Sequence, residues 1–266
     1  MSTITVYVPR DSAALAAGAD RVAQRIAKEA TARGIMLELV RNGSRGMFWL
    51  EPLVEVNTPT GRIAYGPVTH DDVAGLFDAG FLTGGKHPLA LGPTEDIPYL
   101  KKQERLTFAR MGITDPVSLT DYQAYEGFAG LRRALALAPE EIVQQVLDSG
   151  LRGRGGAAFP AGIKWKTVLG TAAAQKYIVC NADEGDSGTY SDRMTMEGDP
   201  FMLIEGMTIA GLATGATQGY IYVRSEYPHA IAAMNEAIRV AEAAGFLGDN
   251  ILRSGKRFSL AVRKGA

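Results

Sequence analysis

The chain has 266 residues, of which 46% are hydrophobic and 21% charged; 28 basic against 29 acidic side chains leave a net charge of -1. This is the composition of a soluble globular protein long enough for two domains, and the balanced charge excludes a general affinity for nucleic acid or an anionic membrane. The single cysteine, Cys180, excludes an intrachain disulfide and cannot by itself hold a zinc ion or an iron-sulfur cluster. No basic start with a long apolar run and no stretch of membrane-spanning length is present, so a cytoplasmic location without direct membrane insertion is expected.

In chain order, residues 4–8 read as a strand, residues 12–33 as a helix with apolar positions at Leu15, Ala19, Val22, Ile26 and Ala30, and residues 35–40 as a second strand. Strands at 53–56 and 62–65 flank the turn-forming NTPTG of residues 57–61, and a helix opens at Thr69 with Asp72 at its third position. Residues 1–83 thus form a small α/β domain, and the glycines and prolines of 84–98 read as a linker. In the remaining 99–266, helical patterns cover 99–110, 121–137 and 139–149. Beyond a glycine-rich segment the chain alternates strand 176–180, helix 200–215, strand 220–224, helix 228–244 and strand 258–262. Such alternation predicts a largely parallel sheet covered on both faces.

The glycine-rich segment GLRGRGGAAFPAGIKW, residues 150–165, places five glycines, Arg152, Arg154 and Lys164 around Phe159 and Trp165. Glycines let main-chain N–H groups approach an anion, and the cations supply countercharge, so the segment reads as a cradle for a phosphate-bearing cofactor. It contains a G-x-G-x-x-A match at 153–158, but a helical pattern precedes it where a dinucleotide fingerprint needs a strand, and no Gly-Lys-Ser/Thr follows to make a Walker loop. A second constellation, CNADEGDSGTYSDR at 180–193, follows a predicted strand, which is where open α/β sheets bind ligands. Its Asn181, Asp183, Glu184 and Asp186 can hydrogen-bond ribityl or ribose hydroxyls and ring edges; a solvated acidic loop is the alternative. The GDSG at 185–188 looks like a serine-protease nucleophile segment, yet His70, His87 and His229 offer no triad and the chain is α/β. Cys180 at the strand end reads as a small buried hydrophobe.

Taken together, residues 150–165, 180–193 and PFMLIEGM at 200–207 resemble the FMN- and NADH-binding flavoprotein subunit of respiratory NADH dehydrogenase, the 51 kDa-type family, and its soluble relatives. The resemblance covers residues 99–266 and implies a Rossmann-like FMN/NADH-binding domain with a parallel sheet. It places FMN contacts at Gly153, Arg154, Gly155, Gly156, Lys164, Asn181, Asp183, Glu184 and Gly185. NAD contacts fall at Phe159, Lys164 and Asp186, where relatives carry a glutamate followed by proline in place of Asp186-Ser187. No protein catalytic residue and no metal ligand is implied in this segment, because hydride passes between nicotinamide C4 and flavin N5.

Residues 42–56 and 62–69 are similar to the thioredoxin-like 2Fe-2S ferredoxin domain but lack its cluster cysteines. A cluster-free domain of this kind ahead of a flavin domain most resembles the beta subunit of soluble, molybdenum-dependent NAD formate dehydrogenases; diaphorase subunits of NAD-reducing hydrogenases and NADH:quinone oxidoreductase are the alternatives. The resemblance implies partners: a thioredoxin-like gamma subunit with a 2Fe-2S cluster and an alpha subunit with molybdenum cofactor and iron-sulfur centres. Relatives continue past residue 266 into a segment that completes the flavin site and then a 4Fe-4S motif, so the flavin domain is expected to be incomplete at its C-terminus and part of a longer polypeptide. A non-catalytic assembly module is the reading from another class.

Overall fold

The computed structural model describes residues 4–154, 156–186 and 188–266. The chain forms two compact units, Met1–Pro116 with Glu197–Asp199, and Val117–Met196 with Pro200–Ala266.

The first unit is a five-stranded mixed sheet in the order β2-β1-β3-β4-β5, built from β1 (Ile4–Tyr7), β2 (Leu37–Val40), β3 (Val54–Thr58), β4 (Gly61–Tyr65) and β5 (Ala90–Pro93). β1 runs parallel to β2, with Ile4 opposite Leu37, and antiparallel to β3. The turn expected at residues 57–61 closes the β3–β4 hairpin, with Thr58 opposite Gly61. The parallel pair requires a crossover, supplied by α1 (Ser12–Ala16) and α2 (Ala19–Ala32). Val22, Ala23, Ile26 and Ala30 of α2 recur at helical spacing and bury against Val6, Val54 and Val56. The helix α3 (Asp72–Asp78) follows the hairpin.

Local differences from the sequence reading have identifiable causes. The helix expected over 12–33 breaks between α1 and α2, where Gly18 adopts a left-handed φ of 97°. Asp11 caps α1, accepting from the amides of Ala13 and Ala14. Residues 84–98, read as a linker, contain β5, which pairs with β4 (Ala64 opposite Gly92) at the sheet edge, a position that tolerates its proline. Only α4 (Pro98–Lys101) forms in the helical stretch expected over 99–110. The arginines beyond it are drawn to tertiary acceptors, Arg105 to the carbonyl of Arg45 and Arg110 to Asp199.

In the second unit, β6 (Tyr177–Ala182), β7 (Gln218–Val223) and β8 (Ser259–Lys264) form a parallel sheet in that order. Two helices make the crossovers, α10 (Pro200–Thr214) before β7 and α11 (Pro228–Ala243) before β8. Phe201, Ile204 and Met207 of α10 and Met234 of α11 form the core with Ile221, Val223 and Leu260. The expectation of a sheet covered on both faces is corrected: Tyr177, Val179 and Tyr222 on the opposite face are 53%, 65% and 40% exposed. Both crossovers step in the same direction along the sheet, and right-handed connections then place both helices on one face.

Ahead of the sheet, the helix expected over 121–137 splits into α5 (Leu119–Ala124) and α6 (Ala129–Leu135), with Glu126 and Phe128 at φ 63° and 62° between them. The carboxylate of Glu205 on α10 fixes this break, accepting from the amides of Phe128 (2.8 Å) and Leu131 (2.9 Å) and the hydroxyl of Tyr122 (2.5 Å). It thereby satisfies donors that the start of α6 leaves open. The helices α7 (Pro139–Asp148) and α8 (Ala161–Gly170) pack on each other and on α10. No helix among the described residues is long and apolar enough to cross a membrane, and no group of three or more metal-ligating side chains occurs among them.

Candidate functional site

The glycine-rich segment is the connection between α7 and α8, and it closes on itself. The amide of Gly153 donates to the carbonyl of Phe159 (2.9 Å), the amide of Ala161 to the carbonyl of Leu151 (2.8 Å), and Nη1 of Arg152 to the carbonyl of Ala158 (3.0 Å). Arg152 is thus used within the loop, whereas Arg154 at its exposed rim lines two cavities. One, of about 460 Å³, is formed by residues 149–154. The other, of about 510 Å³, brings Arg154 together with Asn181, Asp183, Glu184, Gly185 and Asp192. Each falls within the roughly 300–1,000 Å³ typical of small-molecule sites.

Two glycines of the segment have different reasons. Gly156 has a φ of 98°, and no heavy atom lies within 4 Å of the position a Cβ would take, so the backbone there borders open space. At Gly162 a Cβ would come within 2.7 Å of Leu147, so this glycine permits close packing of α8 on α7. Gly155, expected to share the cradle, lies outside the described residues.

The acidic constellation sits at the carboxyl end of β6, as the sequence pattern requires. Asn181 Oδ1 accepts from the amide of Asp183 (3.1 Å), and Asp186 Oδ1 accepts from the amide of Gly188 (3.0 Å). Glu184 is turned by a left-handed φ of 46°. Its carboxylate accepts from the amides of Asp192 (2.8 Å) and Arg193 (3.0 Å) and from Ser191 Oγ (3.3 Å), capping α9 (Ser191–Gly198). The Glu184 side chain is therefore engaged by the protein, and it is the loop around it that faces Arg154. Asp192 also lines this cavity; burial, and then the Glu184 charge, raise its pKa. Neither α9 nor the role of Asp192 was legible in the sequence, because the helix is short and its cap comes from a residue seven positions upstream of its first turn.

Lys164 and Phe159 form a separate group. Lys164, exposed in the first turn of α8, places Nζ 5.9 Å from the centroid of the Phe159 ring, which is 46% exposed. Neither they nor Asp186 lines the two cavities that Arg154 joins. Cys180 borders a third, apolar space of about 290 Å³ with Ile178, Met202 and Leu203, and burial pushes its thiol pKa up to about 11. Cys180 is half-buried and packs against the core of the second unit.

The arginine-bearing glycine loop and the carboxyl end of β6 line one cavity, at the sheet end where open parallel α/β folds bind ligands. Residues 146–266 match the family model of the Nuo51 FMN-binding domain. The chain is 50% identical over 166 residues to the HndC component of the NADP-reducing hydrogenase of Solidesulfovibrio fructosivorans, covering 62% of this chain and 34% of that one. It is 45% identical over 163 residues to a component of the NADH-quinone oxidoreductase of Escherichia coli (strain K12), covering 60% and 37%. A solved chain of NAD+-reducing [NiFe]-hydrogenase in the air-oxidized state aligns over 100% of this chain and 43% of its own, with 21% identity and a TM-score of 0.46. By the family model and the two curated relatives, this part of the chain is similar to the 51 kDa-type flavoprotein family. The chain spans about a third of the length of the two curated relatives it matches.

Proposed function

We propose that the second unit binds FMN and NAD(H) and serves hydride exchange between them as the flavoprotein part of a multisubunit oxidoreductase. The observation that carries this reading is the single cavity joining Arg154 of the glycine-rich loop to Asn181, Asp183, Glu184 and Gly185. The donor set suits the group. Arg154 supplies countercharge for a phosphate, with Lys164 as a second cation outside that cavity; the backbone at Gly156 borders open space, and Asn181 and Asp183 offer acceptors for hydroxyls. Phe159 presents a ring on which a nucleotide base can stack, and Asp186 is the acid assigned to NAD(H). Glu184 acts through its loop, since its carboxylate caps α9. When bound, the flavin supplies hydride acceptance and one-electron release, chemistry that the side chains here do not themselves provide.

For the physiological setting we favour an NAD-dependent formate dehydrogenase in the cytoplasm, with a 2Fe-2S gamma subunit and a molybdenum and iron-sulfur alpha subunit as partners, on the ground of the cluster-free thioredoxin-like unit. A hydrogenase assembly is the second reading, favoured by the 50% identity to HndC. Titration of the protein with FMN, followed by flavin fluorescence and by NADH-dependent ferricyanide reduction, tests the core of the proposal. Saturable flavin binding with reductase activity is expected; absence of both leaves the scaffold reading. Formate- against hydrogen-dependent NAD+ reduction by the native assembly separates the two settings.

A further inference from the structure

The loop after β6 is held from a neighbouring strand. Ala182 at the end of β6 pairs with Val223 at the end of β7, and Arg224 follows directly. Arg224 Nη1 donates to the carbonyl oxygen of Glu184 at 2.9 Å. Its Nε and Nη2 donate to the Glu226 carboxylate at 3.3 and 3.0 Å, and the guanidinium lies 5.2 Å from the centroid of the Tyr227 ring. One planar cation thus joins a main-chain carbonyl, a carboxylate and an aromatic face, a task that suits arginine and not lysine.

The residue it grips has a left-handed backbone, φ 46°. A left-handed non-glycine residue such as Glu184 persists only where its surroundings over-determine it. Two clamps do so: Arg224 on the carbonyl, and the α9 amides of Asp192 and Arg193 on the carboxylate. Between them the chain turns, and Asp183, Glu184 and Gly185 come to line the cavity shared with Arg154.

We propose that Arg224 is a positioning residue for the candidate site, fixing Glu184 so that residues 183–185 face Arg154. The proposal rests on the flavin reading for its purpose and on the geometry alone for its mechanics.

Hydrogen exchange by mass spectrometry on the full chain tests it, comparing the native sequence with Arg224→Ala and Arg224→Lys. Arg224→Ala is expected to speed exchange at the amides of Asp192 and Arg193 about tenfold while α10 and α11 keep their protection, with Arg224→Lys in between. In parallel FMN titrations, Arg224→Ala is expected to weaken binding about tenfold, and added guanidinium to restore part of the loss. A merely structural residue would change α10 protection and show no such rescue. Unchanged exchange at Asp192 and Arg193 in Arg224→Ala overturns the proposal whatever the flavin does. Failure of the native chain to bind FMN refutes the flavin reading, and exchange still decides the positioning role. Should Arg224→Ala also expose α10, Glu226→Gln, which keeps the guanidinium but removes its charged anchor at an exposed position, is read by the same criterion: faster exchange confined to the loop supports the role, and none refutes it.

Discussion

Glu51 is a buried carboxyl whose surroundings favour its proton. Its Oε1 accepts from Ser44 Oγ at 2.6 Å and its Oε2 from the amide of Leu53 at 3.0 Å, with 6% of the residue exposed. Burial first, then the neighbouring Asp11 carboxylate, raise its pKa from 4.5 to about 8; the Ser44 and Leu53 hydrogen bonds oppose the shift, and Glu55 adds to it. Because the folded value lies above the unfolded one, the stabilisation that the proton provides is fully present below about pH 4.5 and is lost as pH rises through about 8. Each pH unit in that window removes about 1.4 kcal/mol, so the whole interval amounts to on the order of 5 kcal/mol. In Glu51→Gln the amide is neutral throughout; its oxygen can accept from Leu53 and its nitrogen donate to Ser44. Urea unfolding followed through Trp49, in a Trp165→Phe background that silences the second unit, reads the stability of the first unit. The native sequence is expected to lose stability between about pH 5 and about pH 8.5 and Glu51→Gln to lose several kcal/mol less, so that the two curves diverge upward in pH. Parallel curves over that range would refute the assignment of the proton to Glu51.

Four further outcomes are expected. Arg154→Ala removes the cation shared by both site cavities and should weaken FMN binding by about 1.5–3 kcal/mol in fluorescence titration, the usual value of a charged hydrogen bond; Lys164→Ala should weaken flavin retention on gel filtration, and unchanged affinity in either variant counts against that residue. Glu205→Ala strips an acceptor from Tyr122, Phe128 and Leu131 and should destabilise the second unit by about 3 kcal/mol or more in thermal unfolding, a loss below about 1 kcal/mol being inconsistent with its capping role. Glu55→Ala should destabilise the first unit by about 3–5 kcal/mol, because it breaks a buried pair and leaves Arg45 in the interior; urea unfolding at neutral pH checks it.

What the sequence made legible was local. The βαβ opening, the 57–61 hairpin and the three strands of the second unit are encoded by periodicity and turn chemistry within a few residues of each other. What it hid was non-local. β5 is a strand only because β4 offers it an edge; the break between α5 and α6 is stabilised by a glutamate some 75 residues away in sequence. At the site, both loops were legible from their glycines and acids, but the engagement of Glu184 with α9 and Arg224 was not. Residue 224 reaches residue 184 only because β6 and β7 are paired in register, and no pattern inside either motif announces that pairing.

The same distinction bears on the first unit, which carries no cysteine. The loops after β1 and β2 are instead stitched by polar contacts: the amide of Arg10 donates to the carbonyl of Asn42, and the Arg41 guanidinium donates to the carbonyls of Val8 and Pro9 and to Asp20. Beneath them Arg45 and Glu55, 4% and 1% exposed, form a two-bond ion pair at 2.8 and 2.9 Å, with Glu95, Arg62 and Thr94 around it. A buried pair of this kind adds little net stability over an apolar core but penalises every arrangement that leaves either charge unpaired. The ion pair is therefore expected to act on specificity, favouring one placement of the 41–47 loop over its neighbours. Replacing Arg45 and Glu55 together by methionine and leucine should then leave urea stability within about 2 kcal/mol of the native value while broadening amide signals of the 41–47 loop in NMR spectra. A double variant with sharp loop signals would show that the apolar packing of β1, β2 and α2 alone defines that loop.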